Sequence, residues 1–426
     1  MTQKGELVQL IDEEQEQHVS FLQNLIRTPS SNPPGDTRDA IHVVETFLQA
    51  HGIPYETIAP KPDAPNLVST LQGGGRAAEH RHLVLNGHID HFPVDPREKW
   101  ERDPYSGDVV NGSLHGRGGV DMKAGTAASV IAFGYLHRFR NRLAGQCVLE
   151  VVSDEETGGK FGTRYLLEQN IRRDTWRGDC VLNAEPGGLD SIRFGEKGTL
   201  RMTFNIDCQG GHGAYIHRGE GAIRIAARVI DRLVGLEDLR GEGMVPALKD
   251  YLARPDVRKV ADDVMGAGAA NSMLKPTVNI GTIRGGAKVN MIPSACEFEA
   301  DIRLPIGLEA DHVLSRIDQI LENIPEASYK VQEAATNPAA ASPIDHEMVR
   351  VIQRSAKAVR GTVPLPISSL GATDCKHFRY HGVSAYTYGP SPRTMAEKDE
   401  RVQVQDFLNT VKVHTLAAWD YLKGPP

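Results

Sequence analysis

Apolar residues near the start of the chain recur with helical spacing. Leu7, Leu10 and Ile11, followed by Val19, Leu22, Leu25 and Ile26, predict a helix from Glu6 to Arg27. The stretch "TPSSNPPGD" stops it, because proline and glycine break helical runs. Short apolar runs then close on polar residues: "HLVLNGHID" (82–90), "QCVLEVVSDEE" (146–156) and "DCVLNAEPGG" (179–188). Each reads as a buried strand. Between them, "VDMKAGTAASVIAFGYLHR" (120–138) predicts a turn and a small-residue helix, and "GTRYLLEQN" (162–170) a further helix. Strands alternating with helices predict an α/β fold with a mostly parallel sheet.

The period changes near Gly195. "TLRMTFNIDCQ" (199–209), "PTVNIGTIRGG" (276–286) and "ACEFEADIRLP" (295–305) alternate apolar and polar positions, as half-exposed antiparallel strands do. Amphipathic helices are predicted at 220–236 and 308–324. This block predicts a smaller α+β domain over 196–334, inserted into a discontinuous catalytic domain of 1–195 and 335–426. "TNPAAASP" (336–343) reads as a small-residue linker. α/β character returns in "EMVRVIQRSAKAV", "VSAYTYG" and a final helix from Asp406 to Lys423.

A length of 426 residues suits two domains. Composition, 40% hydrophobic and 24% charged, is that of a globular protein. The net charge of -7 and the lack of a basic run argue against nucleic acid. No stretch of 18 apolar residues predicts a membrane span, and the acidic N-terminus lacks the apolar core of a signal peptide. Five scattered cysteines without a CxxC pair fit reduced thiols, and the expected location is the cytoplasm.

Chemistry concentrates at the strand ends. The first run ends on His88 and Asp90, the second on Glu155 and Glu156, the third on Glu185. The glycine-rich turn "GRGGVDMKAG" adds Asp121. Ligands of open α/β sheets bind at the carboxyl ends of the strands. Taken singly, each residue has an ordinary reading as a loop histidine, a cap or a solvated acid. Their repetition at successive strand ends favours a divalent cation held by mixed nitrogen and oxygen ligands. The adjacent carboxylates of "VVSDEETGG" then share one place if one binds metal and the other takes a proton.

"GHIDHFPVD", "LHGRGGVDMKAG", "SDEETGG" and "AEPGG", in that order, resemble the metallohydrolase family of acetylornithine deacetylase, succinyl-diaminopimelate desuccinylase, aminoacylase and the glutamate carboxypeptidases. The resemblance spans nearly the whole chain and makes 196–334 a lid and dimerisation domain. It implies that His88 and Glu185 bind one metal, Glu156 a second, and that Asp121 bridges them through a cis peptide to Met122. Glu155 is then the general base, and Asp90 the hydrogen-bond partner of the far nitrogen of His88. "GGHGA" places His212 as an oxyanion-stabilising residue offered to the neighbouring subunit of a homodimer. Asn290, Arg303 and Gly371 fall where the family holds a substrate carboxylate.

One stretch departs from the family. Where it carries a fifth ligand, a histidine, "GPSPRTMAEKDERV" has Glu397 at the matching position. Glu397 either replaces that ligand or leaves the second site weak or absent, giving one or two ions per subunit; a carboxylate there tilts preference from zinc toward manganese, with cobalt a further candidate. The resulting expectation is a metal-dependent hydrolase cleaving a C–N bond in a small carboxylate-bearing substrate, an N-acyl amino acid or dipeptide-like amide. Two other readings stay open at this point. One is a hydrolytic deaminase of an aminoaromatic acid such as 5-nitroanthranilate, releasing ammonia. The other is a metal-free binding protein on the same scaffold.

Overall fold

A computed structural model describes residues 3–75, 81–241 and 243–423. The apolar runs form the middle of a nine-stranded sheet. Across it lie Glu56–Ile58, Asn66–Gln72, Gln146–Val152, His82–His88, Cys180–Asn183, Ser384–Thr387, Ser191–Glu196 and Ala340–Ala341, with Leu365–Ser369 also paired to Ser191–Glu196. The centre is parallel, and pairing becomes antiparallel toward both edges. Leu83, Val84, Leu85, Val148 and Leu149 are fully buried, as strands covered by helices on both faces must be.

The helix Ala124–Arg138 covers the sheet, and its small residues have a reason. A Cβ on Gly125 would meet the Ala184 carbonyl oxygen at 2.1 Å. One on Gly87 would meet Thr126 Oγ1 at 2.8 Å. The helix therefore starts in close approach to the strands that carry the polar ends.

The alternating block forms a second sheet, ordered Thr277–Gly285, Ala295–Leu304, Gly198–Asp207, Ala327–Val331, all antiparallel. Leu200, Met202, Phe204 and Ile206 face inward with Phe298, Ala300 and Ile302, and the helix Ala222–Val234 packs on them. Phe204 and Phe298 pair directly and stack with centroids 4.7 Å apart. The core of this sheet is separate from the core of the larger one. Helices Pro246–Ala253 and Pro255–Met265 lie within the 196–334 range, yet Leu252, Val257 and Ala261 join the larger core.

Two local expectations are corrected. The predicted helix over 6–27 is two helices, Gln3–Glu13 and Gln15–Arg27. Residues 12–17 are all polar, and Glu14 leaves helical geometry at φ −97°, ψ 9°. Its carboxylate accepts from Tyr135 Oη at 2.8 Å and pairs with Arg138 at 3.1 Å, which fixes the break. The stretch 336–343 is not a free linker, because Ala340–Ala341 pairs with Gly195 and Glu196 and Asn337 bridges to Thr199. Small residues permit this approach: a Cβ on Gly198 would lie 2.5 Å from Ala339 N. No helix among the described residues is long and apolar enough to cross a membrane. The five cysteines are free thiols, four of them buried.

Candidate active site

Register decides where the polar strand ends go. His88 pairs with Val152, and Asn86 pairs with both Glu150 and Asn183, so three neighbouring parallel strands finish within two residues of one another. His88, Glu155, Glu156 and Glu185 follow within three or four residues and emerge along one edge, the carboxyl end of the sheet. Asp121 arrives from the turn before the helix Ala124–Arg138, and its peptide to Met122 is cis, as the resemblance implied. Gly118 supplies the left-handed turn at φ +75°; a Cβ there would lie 2.8 Å from His91 Cβ.

His88 is buried. Its Nδ1 is 2.9 Å from the Asp90 backbone carbonyl and 3.4 Å from Asp90 Oδ1. A proton on Nδ1 therefore has an acceptor, which leaves the lone pair on Nε2. That Nε2 has no hydrogen-bond partner among the described residues, yet Asp121 Oδ1 stands at 3.2 Å and Glu185 Oε1 at 3.3 Å. Three electron-pair donors facing one another at this range repel unless a cation joins them. Ligand atoms of His88, Glu155 and Glu185 lie within 4.8 Å of one another, and so do those of His88, Asp121 and Glu156. The donor set fits a divalent metal on both geometry and chemistry.

The charges agree. Burial pushes Glu155 well above the usual carboxylate range, with His88 and Lys376 opposing. Burial and then the Asp121 charge push Glu156 up to about 11 and Glu185 up to about 7. Burial lowers His88, but Glu185 and the surrounding hydrogen bonds outweigh it and raise the imidazole well above its ordinary value. A dication among these groups acts in the opposite sense, holding carboxylates ionised and the imidazole neutral.

Asp90 does more than orient the imidazole. Its own backbone carbonyl is the nearer acceptor for His88 Nδ1, whereas the resemblance pointed to its carboxylate. The carboxylate takes Asn32 Nδ2 at 2.8 Å and the N–H groups of Glu156 at 3.2 Å and Glu155 at 3.3 Å. It thus ties the turn carrying both glutamates to the end of the His88 strand.

Asp121, Glu155, Glu156 and Glu185 open into a cavity of about 910 Å³ that Arg303, Gly371 and Glu397 also line. Glu397 is exposed, and its carboxylate belongs to neither ligand group. Arg303 is held by Asp301 through Nε at 2.9 Å and Nη2 at 3.0 Å. His212 and Asn290 do not line this cavity. They lie together, exposed, on the smaller domain, where Gly213 N–H donates to the Asn290 carbonyl at 2.8 Å.

Sequence reasoning missed Glu400 and Lys376. Glu400 is buried, and its Oε1 accepts from the N–H groups of Val120 at 2.8 Å and Asp121 at 3.3 Å. Its one sequence signal is that it precedes the short strand Arg401–Gln403, which pairs with Ser113–His115 beside the Asp121 turn. Lys376 is buried and lines the cavity; burial lowers it, but the Glu155 charge wins and raises it.

Residues 84–420 match the profile of peptidase family M20/M25/M40. The chain belongs to this family. Membership makes it a hydrolase of carbon–nitrogen bonds, the reaction class expected from the sequence. The M20/M25/M40 chain is 28% identical over 410 residues to succinyl-diaminopimelate desuccinylase of Cereibacter sphaeroides, spanning 95% of this chain and 98% of that protein. Its fold is similar to that of an M20 family metallo-carboxypeptidase of Sulfolobus solfataricus, with a TM-score of 0.77 at 20% identity over 95% of this chain and 99% of that one. It is also similar to human carnosine dipeptidase 1, with a TM-score of 0.71 at 17% identity over 99% of both chains.

Proposed function

We propose that this M20/M25/M40 enzyme uses a divalent metal centre to hydrolyse the amide bond of a small carboxylate-bearing substrate, an N-acyl amino acid or a dipeptide. The observation that carries the reading is His88, whose free Nε2 faces Asp121 and Glu185 with Glu155 beside them at one sheet edge. When bound, the metal polarises a carbonyl and lowers the pKa of water. His88, Asp121 and Glu185 would hold one ion. Asp121 and Glu156 would hold a second, with Glu397 the further carboxylate lining the cavity.

Glu155 takes the proton of the attacking water and returns it to the leaving nitrogen. Asp90 keeps the Glu155–Glu156 turn in place through their N–H groups. Arg303 and Gly371, which line the same cavity, would frame the substrate carboxylate. His212 and Asn290, exposed on the smaller domain, reach the site of a second copy, which makes the working enzyme a homodimer. The oxygen-rich donor set favours manganese over zinc or cobalt. Cereibacter sphaeroides desuccinylase and human carnosine dipeptidase 1 are named for amide substrates, which favours amide cleavage over release of ammonia from an aromatic amine.

The test is a panel of N-acetyl and N-succinyl amino acids, dipeptides and aminobenzoates, run on enzyme reconstituted separately with manganese, zinc and cobalt. Free amine from the amides is expected, and Glu155→Gln should keep its metal while losing about 10²–10⁴-fold in turnover. Ammonia from the aminobenzoates with every amide left intact would overturn the proposal.

A further inference from the structure

Arg193 sits on the strand Ser191–Glu196 and is only 6% exposed. Its Nε and Nη2 donate to the Gly187 carbonyl at 3.2 Å and 2.8 Å. Among the described residues, its Nη1 meets only the thioether sulfur of Met265, at 2.7 Å. No carboxylate among the described residues offsets its charge: burial alone shifts it, down to about 10, so it stays a cation at neutral pH. Burying a guanidinium without a counter-charge is costly, and a partner arriving from outside would offset that cost.

The surroundings say where that partner comes from. Gly187 and Met265 line the same cavity as Glu155 and Glu185, and so does Arg193. Gly187 lies two residues beyond Glu185, so the guanidinium is tethered to the segment that carries a metal-binding carboxylate. Of the other cations that line the cavity, Arg303 and Lys376 are already engaged. Arg303 is held through two nitrogens by Asp301, and Lys376 faces the charges of Glu155 and Glu196. A thioether is a weak acceptor. A carboxylate that displaces it from Nη1 gains a charge-assisted hydrogen bond.

We infer that Arg193 anchors a substrate carboxylate, one carried on a short chain whose other end reaches the Glu155–Glu185 edge of the cavity. The inference rests on the hydrolase reading above and adds a specificity residue to the cavity that Arg303 also lines. It implies a substrate with two carboxylates, one met by Arg193 and the other by Arg303.

Metal-reconstituted enzyme is titrated calorimetrically with succinate and with butyrate, which differ only in the terminal carboxylate. Succinate is expected to bind about tenfold more tightly or better, the usual effect of a charged hydrogen bond. In Arg193→Gln, succinate should fall to the level of butyrate while butyrate affinity and metal content stay unchanged. Arg193→Lys should recover part of the preference. Equal affinities in the parent would overturn the inference. So would an equal loss for both ligands in Arg193→Gln, which would reduce Arg193 to a support for the Gly187 carbonyl. The two readings separate cleanly. A succinate preference that depends on Arg193 stands even in an enzyme that cleaves no amide, and amide turnover without that preference sinks the Arg193 assignment alone.

Discussion

Replacing Glu400 with glutamine tests how the fold holds Asp121. Glu400 is 1% exposed and serves three donors at once. Oε2 accepts from Arg117 Nη1 at 2.8 Å, while Oε1 accepts from Val120 N–H at 2.8 Å and Asp121 N–H at 3.3 Å. Glutamine keeps the shape but turns one oxygen into a donor. That NH₂ must face either Arg117 or the Val120 amide, so one donor meets another in either orientation. Arg117 is also buried, with its guanidinium 5.0 Å from the centre of the Trp100 ring, and would lose its counter-charge. Breaking one side of a buried pair costs about 3–5 kcal/mol. The carboxyl itself is pushed up to about 7, by burial against its hydrogen bonds and Arg117, so it is only partly ionised at neutral pH and the lower end applies. About 3 kcal/mol is therefore expected, read as a shifted urea midpoint at unchanged slope in chelator-treated protein. Because the Asp121 backbone loses its fixed acceptor, metal affinity should drop about 10–100-fold. A double-mutant cycle with Arg117→Met isolates the pair, and the double variant should lose less than the two single losses combined. A Glu400→Gln protein within about 0.5 kcal/mol of the parent, the range of ordinary surface changes, and with unchanged metal affinity would refute the reasoning.

Glu150 lies in the middle of the sheet with Oε1 unpartnered, and burial pushes it up to about 8. With its folded value raised, its contribution is full below the ordinary carboxylate range and lost as pH rises through about 8. The melting-temperature gain of Glu150→Gln over the parent should therefore grow from pH 5 to pH 8.5, and a gain that is flat with pH would remove Glu150 as the cause. Glu397→Gln should lower metal stoichiometry and activity while Lys398→Gln leaves both alone; if both variants match the parent after reconstitution with manganese or zinc, Glu397 is not a ligand. Mixed His212→Ala and Glu155→Gln chains, each inactive alone, should regain activity as heterodimers, and the absence of any recovery once subunit exchange is demonstrated would count against a shared site.

Much of this protein was legible in the chain alone. Periodicity placed the strands ending at His88, Val152 and Asn183 and the alternating strands of the smaller domain, because burial on one or both faces writes itself into neighbouring residues. The polar residues beyond those ends were equally visible, because a strand that leaves the core must turn polar within a few positions. The tertiary structure decided what those residues do together. Neighbouring endings come from ladder register among strands separated by dozens of residues, which no local pattern encodes. The Arg117–Glu400 pair spans 283 positions, and the cavity-facing contact from Arg193 to Met265 joins a strand to a helix 72 positions on. Glu397 drew attention through a loop match, yet it is Glu400, three residues later, that folds inward to grip the Asp121 turn. Hydrophobic period is a short-range signal carried by each segment, whereas the pairing of buried charges is settled only when distant segments meet, and the chemistry of this site depends on that pairing.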